Sequence, residues 1–304
     1  MSSRRDVLRQ GAGLLAAGSA AGVGALAVRP GADAEDSSES GEDSTLCRAN
    51  VLVAGSLQRL ASEFGDASVE AHGSVACRRL LEDGLRDPDA VALADPTLFS
   101  GMAERVTCFA TNALVVAYRP ESVAARHDDW RALVADSDLS LGRTDPERDP
   151  LGYRTAMALD LAEGIDVESV LARTDVFPET GLLRTLEAGG IDAAFAYRNM
   201  AVEHDLPSLV LPDRIDFSDP ALADEYAGAS VELADRTVSG SPIRYAAHAR
   251  TDRGREWVRA LASAHETLRA AGFGVPEGYP KEKDVRDAES ENQVSKSGRS
   301  SGAS

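Results

Sequence analysis

Lysine is nearly absent from this 304-residue chain, and its three copies, Lys281, Lys283 and Lys296, all lie near the end. Lysine and arginine together number 32 against 50 acidic residues, which gives a formal net charge of -18. Nucleic-acid binding requires a basic surface, and this composition excludes it. Hydrophobic residues still make up 43% of the sequence, which is enough for a packed core. An acidic surface with arginine in place of lysine is typical of proteins kept soluble in concentrated salt, so we interpret the chain as halophilic.

Cysteine is also scarce, with copies at Cys47, Cys77 and Cys108 only. No CxxC or His/Cys pattern surrounds them, which argues against a zinc site. We interpret them as small buried hydrophobic residues. In an exported protein, one disulfide with one remaining thiol is the alternative, and the spacing does not select the pair.

Long apolar runs are missing except near the N-terminus, where Gly11 to Val28 form an uncharged run of 18 residues. A span of the bilayer needs roughly 20 apolar residues, so this run is somewhat short. The pair Arg4-Arg5 precedes it and the small residues Ala32-Asp33-Ala34 follow it. We therefore predict that residues 1–34 are a twin-arginine (Tat) export signal, which places the protein at the outer face of the cell membrane. An uncleaved membrane anchor is the alternative.

Polar segments flank the part of the chain that has the composition of a folded body. Residues 35–45 are acidic and serine-rich, and we interpret them as a solvated tether. Residues 278–304 are polar and again rich in serine, so we expect a disordered tail there. The folded body is therefore expected between residues 46 and 277.

Strand-like and helix-like segments alternate through this body. Asn50–Ala54, Ala67–Ala71 and Ala90–Ala94 are predicted to be buried strands, and amphipathic segments follow the first two. Cys108–Tyr118 is long and rich in β-formers, which indicates a strand that crosses between lobes. This alternation predicts an α/β fold with largely parallel sheets.

Candidate binding groups follow several of the predicted strands. In α/β folds, ligands bind at the carboxyl ends of strands, beside helix N-termini. Gly55-Ser56 and Gly73-Ser74 have this position, and each offers backbone NH groups and a hydroxyl to an anion. Asp149-Pro150 and Pro178-Glu179 start two later helices. Ordinary N-capping explains any one of these segments, but it does not predict two Gly-Ser pairs after consecutive strands.

Five motifs stand in a fixed order between residues 50 and 275, and together they resemble the molybdate/tungstate-binding proteins of ABC transporters. The archaeal members of this WtpA/ModA type share the order most fully. The resemblance implies a type II periplasmic-binding-protein fold, in which two α/β lobes enclose a ligand cleft. It also implies that residues 46–118 and 243–277 form lobe 1, and residues 119–242 form lobe 2. The motifs are AGSL at Ala54–Leu57, HGSVA at His72–Ala76, DPLGYR at Asp149–Arg154, GGIDAAFAYRNMA at Gly189–Ala201 and LPDRIDFSDP at Leu211–Pro220.

The same resemblance implies a set of ligand-binding residues. Two serine ligands correspond to Ser56 and Ser74, and a tyrosine ligand corresponds to Tyr197. The resemblance further implies that Asp149 and Glu179 bind the metal centre of the oxyanion. Molybdenum(VI) and tungsten(VI) accept extra oxygen ligands and expand from tetrahedral to octahedral coordination, whereas sulfur and phosphorus do not. The two acids would therefore discriminate against sulfate and phosphate.

The function that the resemblance implies is an exported solute-binding protein that captures molybdate or tungstate and delivers it to an ABC permease. It implies a monomer that is not an enzyme and needs no cofactor beyond this ligand. A receptor for sulfate or phosphate is the first alternative. The second is an exported enzyme that acts on a small anionic substrate.

Two further observations concern these alternatives. His72 lies beside Ser74, but a Ser-His nucleophile needs a third, orienting group, and the sequence contains no G-x-S-x-G elbow. Arg154 and Arg198 have the charge to reach an anion, and we expect each to form a surface salt bridge instead.

Overall fold

The computed structural model describes residues 48–64 and 66–286, in which helices cover two large β-sheets and a third sheet has only two strands. The predicted export signal, the predicted tether and Cys47 lie outside the described residues. The strands are β1 (Ala49–Ala54), β2 (Ala67–His72), β3 (Ala90–Leu93), β4 (Arg105–Thr111), β5 (Leu114–Tyr118), β6 (Leu141–Thr144), β7 (Thr174–Phe177), β8 (Ala193–Tyr197), β9 (Ser208–Val210), β10 (Ser230–Glu232), β11 (Thr237–Ser239), β12 (Arg244–Ala249) and β13 (Lys281–Asp284). The α-helices are α1 (Gln58–Ala61), α2 (Ser74–Glu82), α3 (Trp130–Ala135), α4 (Pro150–Leu161), α5 (Val167–Arg173), α6 (Glu179–Glu187), α7 (Arg198–Glu203), α8 (Ala223–Tyr226), α9 (Asp252–Ser263) and α10 (His265–Ala270).

Lobe 1 is built on a six-stranded sheet with the order β13-β4-β12-β3-β1-β2. Strands β1, β2 and β3 run parallel to one another, because helical or irregular segments return the chain to the same edge after each. Strand β3 is buried along its whole length, as its unbroken apolar sequence predicts. Helix α9 packs on this sheet through Trp257, Val258 and Leu261, which recur on one helical face.

Lobe 2 is built on a five-stranded sheet with the order β7-β6-β8-β5-β9. Strand β6 pairs in parallel with β7 and β8, whereas β5 pairs antiparallel with β8 and β9. In lobe 1, β12 likewise pairs antiparallel with β3 and β4. The prediction of largely parallel sheets was therefore wrong, because the strands that carry the chain between lobes enter each sheet in the opposite direction. The prediction of two α/β lobes agrees with the two sheets.

The passage from lobe 1 to lobe 2 lies at Asn112 and Ala113, between β4 and β5. We predicted one strand over Cys108–Tyr118, but the Asn112 side chain accepts a hydrogen bond from the Ala113 amide at 2.9 Å and interrupts the ladder. Strand β5 belongs to the sheet of lobe 2. The predicted end of lobe 1 at residue 118 therefore lies one strand further along the chain than the end of its sheet.

The expected disordered tail is wrong at its start. Residues Lys281–Asp284 form β13, which pairs antiparallel with β4 and completes one edge of the sheet in lobe 1. An edge strand presents unpaired backbone groups that bind another extended segment whatever its side chains, so a polar sequence does not prevent this pairing. Residues 287–304 lie outside the described part of the chain.

Two of the cysteines are buried as thiols. Cys77 and Cys108 lie in the core, in agreement with their interpretation as small buried hydrophobic residues. Burial raises the pKa of the Cys77 thiol, which keeps it neutral. Among the described residues, no helix combines the length and the apolar character that a membrane-spanning segment requires.

Candidate functional site

The five predicted site residues are all buried, and they come from both lobes. Ser56 and Ser74 belong to lobe 1, where they follow β1 and β2. Asp149 and Glu179 stand at the starts of α4 and α6 in lobe 2, and Tyr197 ends β8. The division of these residues between the lobes is the one that the carboxyl ends of the strands predict.

Two glycines allow the lobes to approach closely at this point. A Cβ atom on Gly55 would lie 2.7 Å from Glu179 Oε2, and one on Gly73 would lie 2.5 Å from the Arg148 carbonyl oxygen. The Ala76 amide also donates a hydrogen bond to the Arg148 carbonyl across the lobes, at 3.2 Å. Each glycine of the Gly-Ser pairs therefore faces backbone or acid from lobe 2, and any side chain there would separate the lobes.

Asp149 uses one carboxyl oxygen for its helix and leaves the other without a partner. Its Oδ1 accepts a hydrogen bond from the Leu151 amide at 3.1 Å, which is the N-cap of α4. Its Oδ2 is buried and makes no hydrogen bond of good geometry, although the Thr144 hydroxyl lies near this carboxyl group. Burial raises the pKa of Asp149 to about 7, against the lowering effects of the Leu151 amide, Thr144 and Arg154. N-capping therefore accounts for Asp149 Oδ1 but not for Oδ2.

Glu179 makes no hydrogen bond of good geometry through either carboxyl oxygen, although the Ser56 hydroxyl and the amides of Gly55 and Ser56 lie beside it. It is the first residue of α6, the cap position before it is Pro178, and Oε1 and Oε2 are buried. Burial raises the pKa of Glu179 well above its usual range, and the negative charge of Asp149 raises it further. The nearby Ser56 hydroxyl and the amides of Ser56 and Gly55 lower the pKa by less. Ordinary capping therefore does not explain this acid.

The three hydroxyl groups of the site are each held by a second polar group. Ser56 Oγ lies 2.8 Å from the Tyr245 hydroxyl, and Ser74 Oγ accepts a hydrogen bond from the Ala94 amide at 3.1 Å. Neither serine makes a side-chain cap to its own helix, so N-capping was the wrong alternative for both. The Tyr197 hydroxyl accepts from Arg154 Nη1 at 3.0 Å.

Arg154 lies in the interior and not on the surface, which corrects the expected surface salt bridge. Only 1% of its side chain is exposed, and it projects from α4 toward lobe 1. Its Nη1 also donates to the Ala94 carbonyl oxygen at 3.0 Å, and its Nη2 lies 3.5 Å from Asp95 Oδ2. Arg198 is partly buried, and its Nε donates to the Gly272 carbonyl oxygen at 2.8 Å and not to a carboxylate.

The sequence analysis did not identify several residues that lie beside the site. Asp95 had a usable signal, because Asp95-Pro96 follows a buried strand as a helix start in the way that Asp149-Pro150 does. The other residues make their contacts to partners far away in the chain, and no local pattern indicates such contacts. They are Asn112, Tyr153, Asn199 and Tyr245.

The arrangement does not support a serine nucleophile. His72 Nε2 pairs with Glu70 Oε1 at 2.8 Å, while Ser74 Oγ accepts a hydrogen bond from the Ala94 amide. Within residues 48–64 and 66–286, no group of three or more His, Cys, Asp or Glu side chains is arranged to hold a metal ion. The site instead combines hydroxyl donors with two buried acids, which is suited to enclosing a small oxygen-rich solute.

Comparison with known proteins relates this site to solute capture. A family model for bacterial extracellular solute-binding proteins matches residues 58–274. The chain is 43% identical over 301 residues to a Haloferax volcanii protein whose name gives it as a candidate ABC transporter molybdenum-binding protein, and the match covers 92% of this chain and 94% of that protein. It is 31% identical over 216 residues to the molybdate/tungstate-binding protein WtpA of Thermococcus kodakarensis, with 58% and 61% of the two chains covered.

A solved structure supports the fold. The periplasmic molybdate-binding protein of Azotobacter vinelandii superposes with a TM-score of 0.57 at 15% sequence identity, over 76% of this chain and 100% of that one. At this identity the likeness concerns the arrangement of the two lobes. The predicted type II periplasmic-binding-protein fold is thereby confirmed.

Proposed function

The chain belongs to the family of bacterial extracellular solute-binding proteins, and from this premise we propose that it captures molybdate or tungstate and delivers it to an ABC permease. Members of this family are substrate-binding parts of transporters and not enzymes. The names of the Haloferax and Thermococcus relatives support molybdenum and tungsten oxyanions as the cargo.

One observation carries the proposal: Asp149 and Glu179 are buried beside each other where the lobes meet, and Asp149 Oδ2 and both oxygens of Glu179 make no hydrogen bond of good geometry within the protein. Buried polar atoms in folded proteins are nearly always paired, so these oxygens point to a partner that the chain itself does not supply. Sulfate would present only negatively charged oxygens to them, and neither sulfur nor phosphorus in its oxyanion accepts a further oxygen ligand. Molybdenum(VI) and tungsten(VI) are electrophilic centres that accept carboxylate oxygens directly.

We therefore propose a role for each site residue. The hydroxyls of Ser56, Ser74 and Tyr197 donate hydrogen bonds to the oxygens of the oxyanion. Asp149 and Glu179 bind its metal atom and raise its coordination number. With this arrangement the site binds molybdate and tungstate more tightly than sulfate and phosphate, because only the metal oxyanions gain bonds from the acids.

The overall charge of -18 does not oppose this function under halophilic conditions. The Debye length is about 3 Å near 1 M salt, so distant surface carboxylates have little influence on a buried ligand. What acts on the oxyanion is local: hydroxyls, backbone NH groups and the N-termini of the surrounding helices.

We further propose how the protein reaches its place of action. The twin arginine at Arg4-Arg5 and the apolar run after it support export by the Tat route to the outer face of the cell membrane. There the protein would act as a monomer that carries its cargo to the permease. No cofactor is needed, since the oxyanion is cargo and the hydroxyls and acids bind it directly.

The test is a calorimetric titration of the protein with tungstate, molybdate, sulfate and phosphate in molar KCl. Tungstate or molybdate should bind with a stoichiometry of one and at least about a hundredfold more tightly than sulfate or phosphate. Tight binding of sulfate or phosphate alone would favour the receptor for a different oxyanion. The absence of binding by all four anions would refute the proposed function.

A further inference from the structure

Another cavity lies in lobe 1, between α9 and the sheet. It has a volume of about 390 Å³, and its walls come from α9, β4, β12 and the chain around the start of β13. It lies beside the start of β3, because Ala249, which lines it, pairs with Ala90. Ser56 and Ser74 follow the opposite ends of β1 and β2, which run parallel to β3. This cavity is therefore separate from the proposed oxyanion site.

The cavity is lined by three guanidinium groups, although the chain has a net charge of -18. Arg255 forms an ion pair with Asp252. Arg105 and Arg259 have no ion-pair partner among the residues that the structure describes. The acid that lines the cavity is Glu282, whose carboxylate accepts a hydrogen bond from a threonine hydroxyl of β4. Like charges around one concave space repel one another, and a bound anion removes this repulsion.

The chemistry of the lining indicates the class of ligand. A guanidinium group donates two parallel hydrogen bonds to a phosphate or a carboxylate. A phosphate ester offers three terminal oxygens and roughly two negative charges, which suits several arginines better than one carboxylate does. The rest of the lining includes the apolar side chains of Ala249, Val258, Ala262 and Pro280. A volume of about 390 Å³ is within the range of small-molecule sites, so an organic group also fits.

We propose that the cavity lined by Arg105, Arg255 and Arg259 binds a phosphate ester of an organic molecule. The guanidinium groups hold the phosphate, and the organic part lies against Val258 and Pro280. This inference does not depend on the proposed function, because the five proposed oxyanion ligands do not line this cavity. Two sources share the chemistry of the ligand: a soluble phosphate ester, and the head group of a phospholipid such as phosphatidic acid.

The soluble probe is n-butyl phosphate, titrated calorimetrically into the protein in molar KCl. Wild-type protein should bind one molecule at least about tenfold more tightly than inorganic phosphate, because only the ester also buries an alkyl chain. Saturating tungstate should leave this affinity unchanged. Loss of butyl phosphate binding in the presence of tungstate would place the ester in the cleft and overturn the inference. Failure of tungstate itself to bind would refute the proposed function and not this inference.

A second measurement distinguishes the two sources. The protein is sedimented with phosphatidylcholine vesicles that either contain or lack phosphatidic acid. Sedimentation that depends on phosphatidic acid would support the inference and identify a lipid head group as the ligand. Binding of butyl phosphate without such sedimentation would support it and identify a soluble ester. The absence of both would overturn the inference.

Two variants test the cavity directly. Arg259→Gln removes a guanidinium without an ion-pair partner from an exposed position of α9, so the helix should stay folded. Its binding of the phosphate ester should weaken at least about tenfold, because a hydrogen bond to a charged group is lost. Ser263→Glu adds a carboxylate to the lining without removing any arginine, and it should weaken binding as strongly. Wild-type affinity in both variants would contradict the inference.

Arg269→Gln is the matched control. Arg269 is an exposed arginine of α10 in lobe 1, and it does not line the cavity. The control removes the same charge from the same lobe and should keep wild-type affinity for the ester. Equal weakening in Arg269→Gln and Arg259→Gln would show that only the overall charge matters, and it would overturn the assignment of a site. Tungstate affinity should be the same in all three variants as in wild-type protein.

Discussion

Arg154 of lobe 2 and Asp95 of lobe 1 form a buried ion pair across the lobes, with 3.5 Å between Nη2 and Oδ2 and only 1% and 3% of the side chains exposed. The Tyr153 hydroxyl donates to the same Asp95 oxygen at 2.7 Å. A buried charge without its partner is costly, so this pair favours the arrangement in which the lobes touch. The ion pair also holds Arg154 in the position from which it contacts Tyr197.

The first prediction concerns this pair. Asp95→Asn keeps Oδ1, which accepts from the Thr97 amide, but it removes the negative charge beside Arg154. Loss of one partner of a buried pair costs ~3–5 kcal/mol, and part of that cost disappears if the lobes separate. Tungstate affinity measured by calorimetry should fall at least about tenfold. Tyr153→Phe removes one hydrogen bond only and should cost about 1 kcal/mol. Unchanged tungstate affinity in Asp95→Asn would show that the pair does not contribute to closure.

The second prediction concerns the close approach at Gly73. Its backbone has φ of -56° and ψ of 140°, which any residue adopts, so alanine at this position is not strained by itself. The added Cβ would nevertheless lie 2.5 Å from the Arg148 carbonyl oxygen in lobe 2. Gly73→Ala should therefore destabilise the arrangement in which the lobes touch and weaken tungstate binding at least about tenfold.

Small-angle scattering gives a second measurement for the same variant. Wild-type protein should become more compact with saturating tungstate, because the cleft is formed from both lobes. Gly73→Ala should compact less. Gly181→Ala is the matched control: this glycine lies inside α6, and an added Cβ there meets no atom within 4 Å. It should keep wild-type affinity and gain up to about 1 kcal/mol of stability. Equal compaction in wild-type protein and Gly73→Ala would count against closure at this point.

The sequence predicted those parts of the molecule that local patterns determine. Buried strands such as β1 and β3 are short apolar runs, and the Gly-Ser pairs mark where two of them end. Asp149 and Glu179 were predicted as site residues because they stand at helix starts and match a family motif. The break at Asn112 was missed, because one polar residue between two apolar runs does not reveal that its side chain binds the next amide.

The contacts between the lobes were beyond the reach of local patterns. Arg154 looked like a surface residue because arginine is nearly always exposed, and only the position of Asp95 in the other lobe makes its burial possible. Strand β13 was missed for a similar reason. Its residues are polar, and its pairing depends on the free edge of β4 and not on its own side chains.

The third prediction concerns export. If residues 1–34 are a Tat signal, Arg4→Lys combined with Arg5→Lys keeps the positive charge but removes the twin arginine that the export machinery reads. The precursor should accumulate in the cytoplasm, as measured by immunoblots of cytoplasmic and membrane or extracellular fractions. A single Arg9→Lys exchange, outside the pair, is the control and should be exported normally. Normal export of the double variant would refute the Tat assignment.

The fourth prediction follows from the raised pKa of Asp149. Burial raises this pKa to about 7, whereas an aspartate in an unfolded chain titrates near ~3.9. The folded state thus binds the proton more tightly. The protonated Asp149 therefore contributes fully to the free energy of unfolding below the pKa of the unfolded chain. This contribution is lost as the pH rises through about 7.

Asp149→Asn provides the comparison, because an amide keeps the Oδ1 cap and does not ionise. From about pH 5 to about pH 8, ligand-free wild-type protein should lose melting temperature relative to this variant. The measurement is thermal unfolding without oxyanion, at constant salt. Parallel melting temperatures of the two proteins over this range would mean that the lobes of the ligand-free protein stand apart, so that Asp149 is exposed and ionised throughout.

The last prediction tests whether the acids bind the metal atom of the oxyanion. Glu179→Gln keeps the shape of the side chain but replaces a carboxylate oxygen with a weaker donor, so tungstate affinity should fall at least about tenfold while sulfate binding stays poor or improves. If Glu179 served only the dipole of α6, its loss would cost ~0.3–1 kcal/mol of stability, and every anion would bind slightly better without the negative charge. The two explanations thus differ in sign for tungstate.

Asp216→Asn is the control for this variant. It changes a buried acid of lobe 2 that accepts from the Ser218 amide, and it should leave tungstate affinity unchanged. X-ray absorption at the tungsten edge decides independently, since octahedral and tetrahedral centres give different spectra. A tetrahedral spectrum in the wild-type complex would leave the oxyanion receptor intact and remove both carboxylates from the coordination of the metal.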